Sequence, residues 1–359
     1  MEQDFPHRPE AVTPEWLTDR LMQAGQLSDG RATHIAHEPI GTGQIGESFR
    51  FVVTYDPEGA GPPTLAGKFA ASDAASRQTA TMMRLYHREM CFFRECSGLL
   101  PVRTPGLIAA EVNDVGDAFI LLMEDLAPAR QGNQLDGCSL TDARAAIVQA
   151  AAFHGPSWND ATIIDAAFLQ PDPKIREITR SLYPQSTATF IDRYASELPA
   201  ELMDIVRRMG ELTDAIFAYD DPRRCLVHGD YRLDNMLFDV RGGAAPLAII
   251  DWQTIYPGDG ASDIGYFLGA GIAPDLRREA EDELLGLYCE EMARHGVPLT
   301  HDDIAAGYRM GAIRGVSTAV FSAANVVRTP RGDANFLSMA YGALELVRDT
   351  DALDILKEP

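Results

Sequence analysis

Cysteine is scarce and shows no pairing pattern. The five residues, Cys91, Cys96, Cys138, Cys225 and Cys289, are odd in number and contain no C-x-x-C spacing. A disulfide framework and a zinc knuckle both need tighter spacing, so neither is expected. Cys91 and Cys96 fall in a helical pattern and read as small buried hydrophobes. Long apolar runs are absent too: nothing approaches the roughly 18 residues that a membrane-spanning helix requires. The opening residues, Met1 to Glu10, lack a basic segment followed by an apolar stretch, so no secretory signal is read. A cytoplasmic location without a membrane partner is the expectation. Positive charge is also short, with 31 Lys and Arg against 53 Asp and Glu, a net −22. That balance repels a phosphate backbone, so nucleic acid is not expected as a partner. It would attract a cationic small molecule, although a solvated acidic surface accounts for it equally well. None of the eight histidines falls in a metal-ligand pattern.

At 359 residues the chain exceeds one compact core and fits two lobes. Within residues 35–70, Ser48–Tyr55 and Leu65–Phe69 are rich in strand formers around a Pro/Gly turn from Asp56 to Pro63, which predicts an antiparallel hairpin. A long helix is expected from about Ala74 to Gly98, then strands at Leu107–Val112 and Ala118–Leu122. Past Glu124 the pattern turns helical, with Ser139 or Thr141 capping a helix to about His154. Further helices are expected near Glu201–Tyr219, Asp275–His295 and Thr300–Val327, the last opened by the capping box Thr300–Asp303. The expected class is α+β, with a small β-rich lobe at 1–124 and a large helical lobe at 125–359. The boundary falls near Met123–Leu126. The oligomeric state is not legible.

The chemistry concentrates at residues 226–253. Leu226-Val-His-Gly-Asp-Tyr-Arg-Leu-Asp-Asn235 is followed, after the Gly242-Gly243 turn, by Leu247-Ala-Ile-Ile-Asp-Trp-Gln253. Phosphoryl transfer needs a carboxylate at the acceptor hydroxyl and oxygen ligands for magnesium beside the phosphates. Asp230 precedes Asn235 by five positions, the separation of base and metal ligand in a kinase catalytic loop. Asp251 ends an apolar strand, a rigid place for a metal-binding carboxylate. Each residue alone would read as turn punctuation. Together, flanked by strands, they point to catalysis.

This segment resembles the catalytic core of the aminoglycoside phosphotransferase and choline kinase family. The phrases His228–Asn235, Asp251-Trp-Gln253 and Asp263-Ile-Gly-Tyr-Phe-Leu268 bring it nearest to the ecdysteroid-kinase-like and bacterial acyl-CoA-linked branches. The resemblance runs from Gly41 to about Asn325 and implies a bilobal, protein-kinase-like fold, with a nucleotide-binding first lobe and a catalytic, acceptor-binding second lobe. It implies that Asp230 is the base and that Asn235 and Asp251 hold Mg2+. The usual Phe after the metal aspartate is Trp252 here, which leaves the carboxylate in place. Arg232 stands where protein kinases often carry a basic side chain that neutralises the transferring phosphoryl group; as a plain surface arginine it would read the same. Asp263 resembles the family's buried brace of the catalytic loop, and His228 reads as a packing anchor.

The first lobe adds its own signals. Gly41-Thr-Gly-Gln-Ile-Gly46 matches G-x-G-x-x-G, a weak motif by itself. A dinucleotide fold needs a helix at this point, but a strand follows, the order of a kinase phosphate loop built on Gly41, Gly43 and Gly46. Lys68 ends the next strand and would reach the α- and β-phosphates of ATP. Met82, Leu85, Tyr86, Glu89, Phe92, Phe93 and Cys96 share one helical face, so Glu89 sits among apolar residues. A buried carboxylate needs a cation, and Lys68 is the expected partner. Leu121–Leu126 corresponds to the family's hinge, which places Glu124 and Leu126 at the adenine.

The expected activity is transfer of the ATP γ-phosphate to a hydroxyl of a small molecule. A protein kinase is the nearest rival. Only twelve positions separate Asp251 from Asp263, with no A-P-E element, which leaves little room for an activation segment. A pseudokinase would usually lack one member of the set Lys68, Glu89, Asp230, Asn235 and Asp251. The acceptor itself is not readable: the resemblance implies that helices of the second lobe bind it, and Tyr308, Met310, Phe321 and Asn325 could line such a pocket, although a helix of this pattern is more often simply core.

Overall fold

A computed structural model describes residues 5–41, 45–219, 222 and 224–356. The chain separates into two compact units. One comprises Met1–Leu99, Arg103–Ala129 and Asp239–Thr254; the other comprises Leu100–Val102, Arg130–Phe238 and Ile255–Pro359. A late segment, Asp239–Thr254, therefore joins the strand-rich unit rather than following the boundary near residue 124. Hydrogen bonding and stacking hold it there. Ile249 N–H donates to the Arg103 carbonyl at 2.9 Å and Arg241 N–H to the Leu126 carbonyl at 3.1 Å. The Trp252 and Phe92 rings stack at 4.0 Å.

The first unit begins with helix α1, Pro14–Gln23, which Thr13 caps and a proline opens. Strands β1 (Arg31–Ile40), β2 (Gly46–Asp56) and β3 (Thr64–Ala70) follow. Helices α2 (Ala74–Met82) and α3 (Leu85–Cys91) precede strands β4 (Leu107–Val112) and β5 (Phe119–Glu124). The five strands form one antiparallel sheet in the order β1-β2-β3-β5-β4. In β2 the period-two pattern is plain: Phe51, Val53 and Tyr55 are buried while Val52, Thr54 and Asp56 are exposed. The buried set packs with Leu65, Phe69, Ile120 and Leu122 against Leu17 and Leu21 of α1.

The long helix expected from Ala74 to Gly98 is broken. Arg84 adopts a left-handed conformation, φ 56°, and the helix restarts at Leu85 before ending in a π-helical turn at Phe92–Cys96. The break resets the helical phase. Met82, expected on the apolar face, is 53% exposed, whereas Leu85, Tyr86, Glu89 and Met90 are buried. A left-handed non-glycine residue stops the i→i−4 ladder, so α3 can turn its own face inward independently of α2.

The second unit is mostly helical: α4 (Leu140–His154), α5 (Pro173–Tyr194), α6 (Ala200–Glu211), α7 (Ala261–Gly271), α8 (Pro274–Arg294), α9 (His301–Asn325) and α10 (Pro330–Asp349). Ser139 caps α4, and both halves of the Thr300–Asp303 capping box are present at α9. The helix expected over Glu201–Tyr219 divides at Leu212, with a short helix at Thr213–Ala218 after it. Every residue of α7 is buried. At Gly265 a Cβ would lie 1.9 Å from the Tyr308 carbonyl oxygen, so α7 and α9 meet backbone to backbone and only glycine fits. Two short antiparallel strands, Cys225–Val227 and Tyr256–Gly258, hold the ends of the segment that carries the candidate site. The α+β class is the one expected. Among the described residues no helix is long and apolar enough to cross a membrane.

Candidate active site

In the first unit, Lys68 on β3 is the centre of an ionic triad. Its Nζ lies 2.7 Å from Glu89 Oε2, 2.9 Å from Glu89 Oε1 and 2.8 Å from Asp251 Oδ1. Glu89 points inward, 1% exposed, on α3. It also accepts the Trp252 N–H, so the carboxylate ties the helix to the turn that presents Asp251. Burial works against the charge on Lys68, but Asp251 and Glu89 outweigh it and hold its pKa above the ordinary range. Burial pushes the Glu89 carboxyl up, against the pull of Lys68. One ammonium thus serves two carboxylates, leaving the triad one negative charge in excess.

Asp251 follows the strand Ala245–Ile249 and sits in the left-handed region at φ 65°. Such a φ is rare in a non-glycine residue and aims the side chain out of the strand direction. Its Oδ2 accepts from Gln253 Nε2 at 3.3 Å. Trp252, fully buried, stacks on Phe92 with the rings 8° apart and donates its indole N–H to the Ile249 carbonyl. Arg88 Nη1 donates to the Gln253 carbonyl at 3.2 Å.

The glycine loop is described at its ends. Gly41 has φ 76°, and Gly43 lies outside the described residues. At Gly46 a Cβ would come within 3.2 Å of Lys68 Cε and of the Phe69 carbonyl, so the absent side chain makes room for the lysine stem. At the end of β5, Glu124 accepts from Arg103 Nη2 at 2.8 Å and from the Gly106 N–H at 3.1 Å, and pairs with Arg241 at 2.8 Å. Burial would raise its pKa, but these donors lower it. The side chain is therefore a structural clasp. The Leu126 carbonyl is occupied by the Arg241 N–H.

In the second unit the site is a loop held from below. Asp263, buried on α7, accepts the N–H groups of His228 at 2.7 Å and Gly229 at 3.0 Å. His154 lies 3.2 Å from the same carboxylate and 3.0 Å from the Tyr288 hydroxyl. Asp230 follows immediately. Its Oδ2 accepts from Arg232 Nε at 3.0 Å and Asn235 Nδ2 at 2.9 Å, and its Oδ1 from the Tyr266 hydroxyl at 2.8 Å. Burial would raise the Asp230 pKa, but the charge of Arg232 and the hydrogen bonds from Arg232 and Tyr266 hold it below the usual carboxylate range. Asn235, 5% exposed, also donates to the Asp230 carbonyl at 2.8 Å. That spends its amide nitrogen on the loop and leaves its oxygen as a potential ligand.

Arg232 is committed to two carboxylates, Asp230 and, at 2.8 Å, Asp234. Acting on a phosphoryl group would require it to leave one of them. Asp234 is further held by the Gln134 N–H and by Asn335 Nδ2, both at 3.1 Å. Asp234 and Tyr266 escaped the sequence reading. A tyrosine among the apolar residues Ile264–Leu268 does signal a buried hydrogen bond, but nothing in the spacing names Asp230 as its partner.

No three-residue cluster of His, Cys, Asp and Glu that could hold a metal occurs among the described residues. Magnesium needs no such cage, since it keeps waters and takes one or two protein oxygens beside phosphates. A carboxylate at Asp251 and an amide oxygen at Asn235 are hard donors of the right kind. Each donor type, taken by itself, suits that ion.

A family model described as phosphotransferase enzyme family matches residues 45–297. Among solved structures, one provisionally assigned as an aminoglycoside phosphotransferase from Ralstonia eutropha JMP134 is 18% identical, covering 92% of this chain and 98% of that one at a TM-score of 0.53. The GDP and kanamycin complex of the aminoglycoside phosphotransferase APH(2″)-IIIa is 16% identical, covering 93% and 98% at a TM-score of 0.51. Both likenesses are of fold, the protein-kinase-like α+β arrangement. Among curated proteins nothing matches.

Proposed function

The chain belongs to the phosphotransferase enzyme family, and from that premise we propose that it transfers the γ-phosphate of ATP to a hydroxyl of a small metabolite or xenobiotic. The observation that carries the reading is the Lys68 ammonium held between Glu89 and Asp251, at 2.7 and 2.8 Å. A lysine on a strand, a glutamate on a helix that follows and an aspartate after a late strand are the phosphate-handling parts of a kinase.

In this reading Lys68 takes the α- and β-phosphates, with Glu89 fixing its direction. Gly41, Gly43 and Gly46 allow backbone close to the phosphates, and Leu126 meets adenine through its N–H, since its carbonyl is taken. Glu124 contributes by shaping the strand end rather than by its side chain. Asp251 and the Asn235 oxygen would hold Mg2+, which supplies neutralisation of the phosphate oxygens. Asp230 accepts the proton of the acceptor hydroxyl as that oxygen attacks phosphorus. Its depressed pKa keeps it ionised at neutral pH, and charge builds on the acceptor oxygen only as the phosphoryl group transfers, so a weak base suffices. Arg232 orients Asp230 and balances its charge.

The test is nucleotide consumption by the purified protein with Mg2+ against a panel of hydroxyl-bearing metabolites, using ATP and GTP in parallel because APH(2″)-IIIa was solved with GDP. The reading predicts turnover with at least one small acceptor that Asp230→Asn abolishes. Nucleotide binding without transfer across the panel would favour the pseudokinase reading, and transfer only to proteins the protein-kinase one.

A further inference from the structure

The hydrogen bonds around Asp230 say more than that it is a base. An ionised carboxylate offers about two acceptor directions on each oxygen. On Oδ2 both are filled, by Arg232 Nε at 3.0 Å and Asn235 Nδ2 at 2.9 Å. Oδ1 carries one donor, the Tyr266 hydroxyl at 2.8 Å, and so keeps one direction open. The Asp230 side chain is 20% exposed, so that direction is reachable.

Tyr266 itself cannot wander. It is 2% exposed on α7. Its helix is pinned against α9, where a Cβ on Gly311 would lie 2.1 Å from the Ser262 carbonyl and 2.8 Å from the Tyr266 nitrogen. Thr318, also on α9, stands beside the Tyr266 hydroxyl and favours its oxygen as an acceptor. A phenol has a single proton to give. With that proton donated to Asp230, the phenol oxygen can only accept from Thr318.

We infer that Tyr266 is a positioning residue that locks the Asp230 carboxylate, so that the acceptor hydroxyl is met by Oδ1 and not by Oδ2. The inference rests on Asp230 being the base. In the reaction the acceptor O–H bond breaks, its proton passes to Oδ1, and the freed oxygen bonds the γ-phosphorus as the bond to the ADP oxygen breaks. Tyr266 keeps its own proton throughout. Without its hydroxyl, Oδ1 loses its one donor and the carboxylate can tilt about χ2 within the hold of Arg232 and Asn235, so the acceptor would meet a misdirected oxygen.

The test compares Tyr266→Phe, Thr318→Val and Asp230→Asn with the unmodified chain. The probe is MgATP with water as the acceptor, read as release of inorganic phosphate. Tyr266→Phe should lower kcat about 10- to 100-fold, the range for a misplaced reacting group, with the KM for ATP and the melting temperature unchanged. Thr318→Val should lower kcat by a smaller factor. Unchanged kcat in Tyr266→Phe alongside an inactive Asp230→Asn would overturn the inference and leave the base standing. Near-normal release by Asp230→Asn would instead remove the base itself. If Tyr266→Phe folds poorly, Thr318→Val carries the test, and unchanged kcat there overturns the inference. Where release is too slow to measure, crystal structures decide: the Asp230 carboxylate should turn in Tyr266→Phe, and an unturned plane overturns the proposal.

Discussion

Asp230 and Asp251 acquire their partners by opposite routes. Asp230 draws two of its three donors from its own loop, Arg232 two positions on and Asn235 five, and the third from α7 of the same unit. Asp251 finds its ammonium 183 positions earlier, on β3, and shares it with a glutamate on α3. The loop-built carboxylate ends with three donors of its own, and the sheet-built one shares a single cation. A base must be held ionised and in one orientation, which several local donors achieve. A metal carboxylate must keep unspent negative charge, which sharing one lysine with Glu89 preserves. The two wirings suit the two tasks proposed for these carboxylates.

The contrast can be broken most strongly at its two ends. Asp251→Ala should abolish magnesium-dependent nucleotide turnover, because no other carboxylate in the triad is free to replace it. Turnover that persists equally in excess chelator would refute the metal assignment. Asp230→Asn should cost about 10²–10⁴-fold in kcat while nucleotide affinity, measured by calorimetry, stays near that of the unmodified chain. A parallel loss of affinity would mean that the two sites are not as separate in role as their wiring suggests.

Asn235→Ala should be milder than Asp251→Ala, since a neutral ligand contributes less charge. It should also reach Asp230, because the amide nitrogen donates to that carboxylate. Asn235→Asp tests the division: it supplies a ligand but no donor, so it should restore metal affinity more than kcat.

Glu89→Gln should lower kcat/KM by roughly 10- to 100-fold, through misdirected phosphates, with little loss of stability. The amide can still accept the Trp252 N–H, while Lys68 is left to Asp251 alone. A large fall in melting temperature with unchanged kcat/KM would show the residue to be structural only. Smallest of all, Gly46→Ala should raise the KM for ATP a few-fold. The added carbon would stand 3.2 Å from the Lys68 stem, a contact that a shift of a few tenths of an ångström relieves.

Legibility followed the same contrast. The spacing from Asp230 to Asn235 sits within one loop, so the chain itself carries the geometry, and the two side chains are hydrogen-bonded at 2.9 Å. The Lys68–Glu89 pair was legible from a buried carboxylate's need for a cation, even though the helical face was drawn through Met82, which faces solvent. The pairing holds because Leu85, Tyr86, Glu89 and Met90 all lie on α3, after the break at Arg84, and turn inward together. That break was not visible, since arginine gives no signal of a left-handed residue. Nor was the clasp of Glu124 by Arg103 and Arg241, which joins three distant parts of the chain.

Local chemistry and periodicity by themselves determined the strand-rich and helical division and the capping of α4 and α9. These follow from short-range sterics and from which side chains avoid water, properties carried by neighbours along the chain. Only the tertiary structure decided that Asp239–Thr254 joins the first unit, that Arg241 pairs with Glu124, and that Tyr266 reaches Asp230. Each of those depends on where elements far apart in sequence come to rest. A side chain's hydrogen-bond partner is chosen by packing, and packing is a property of the whole fold.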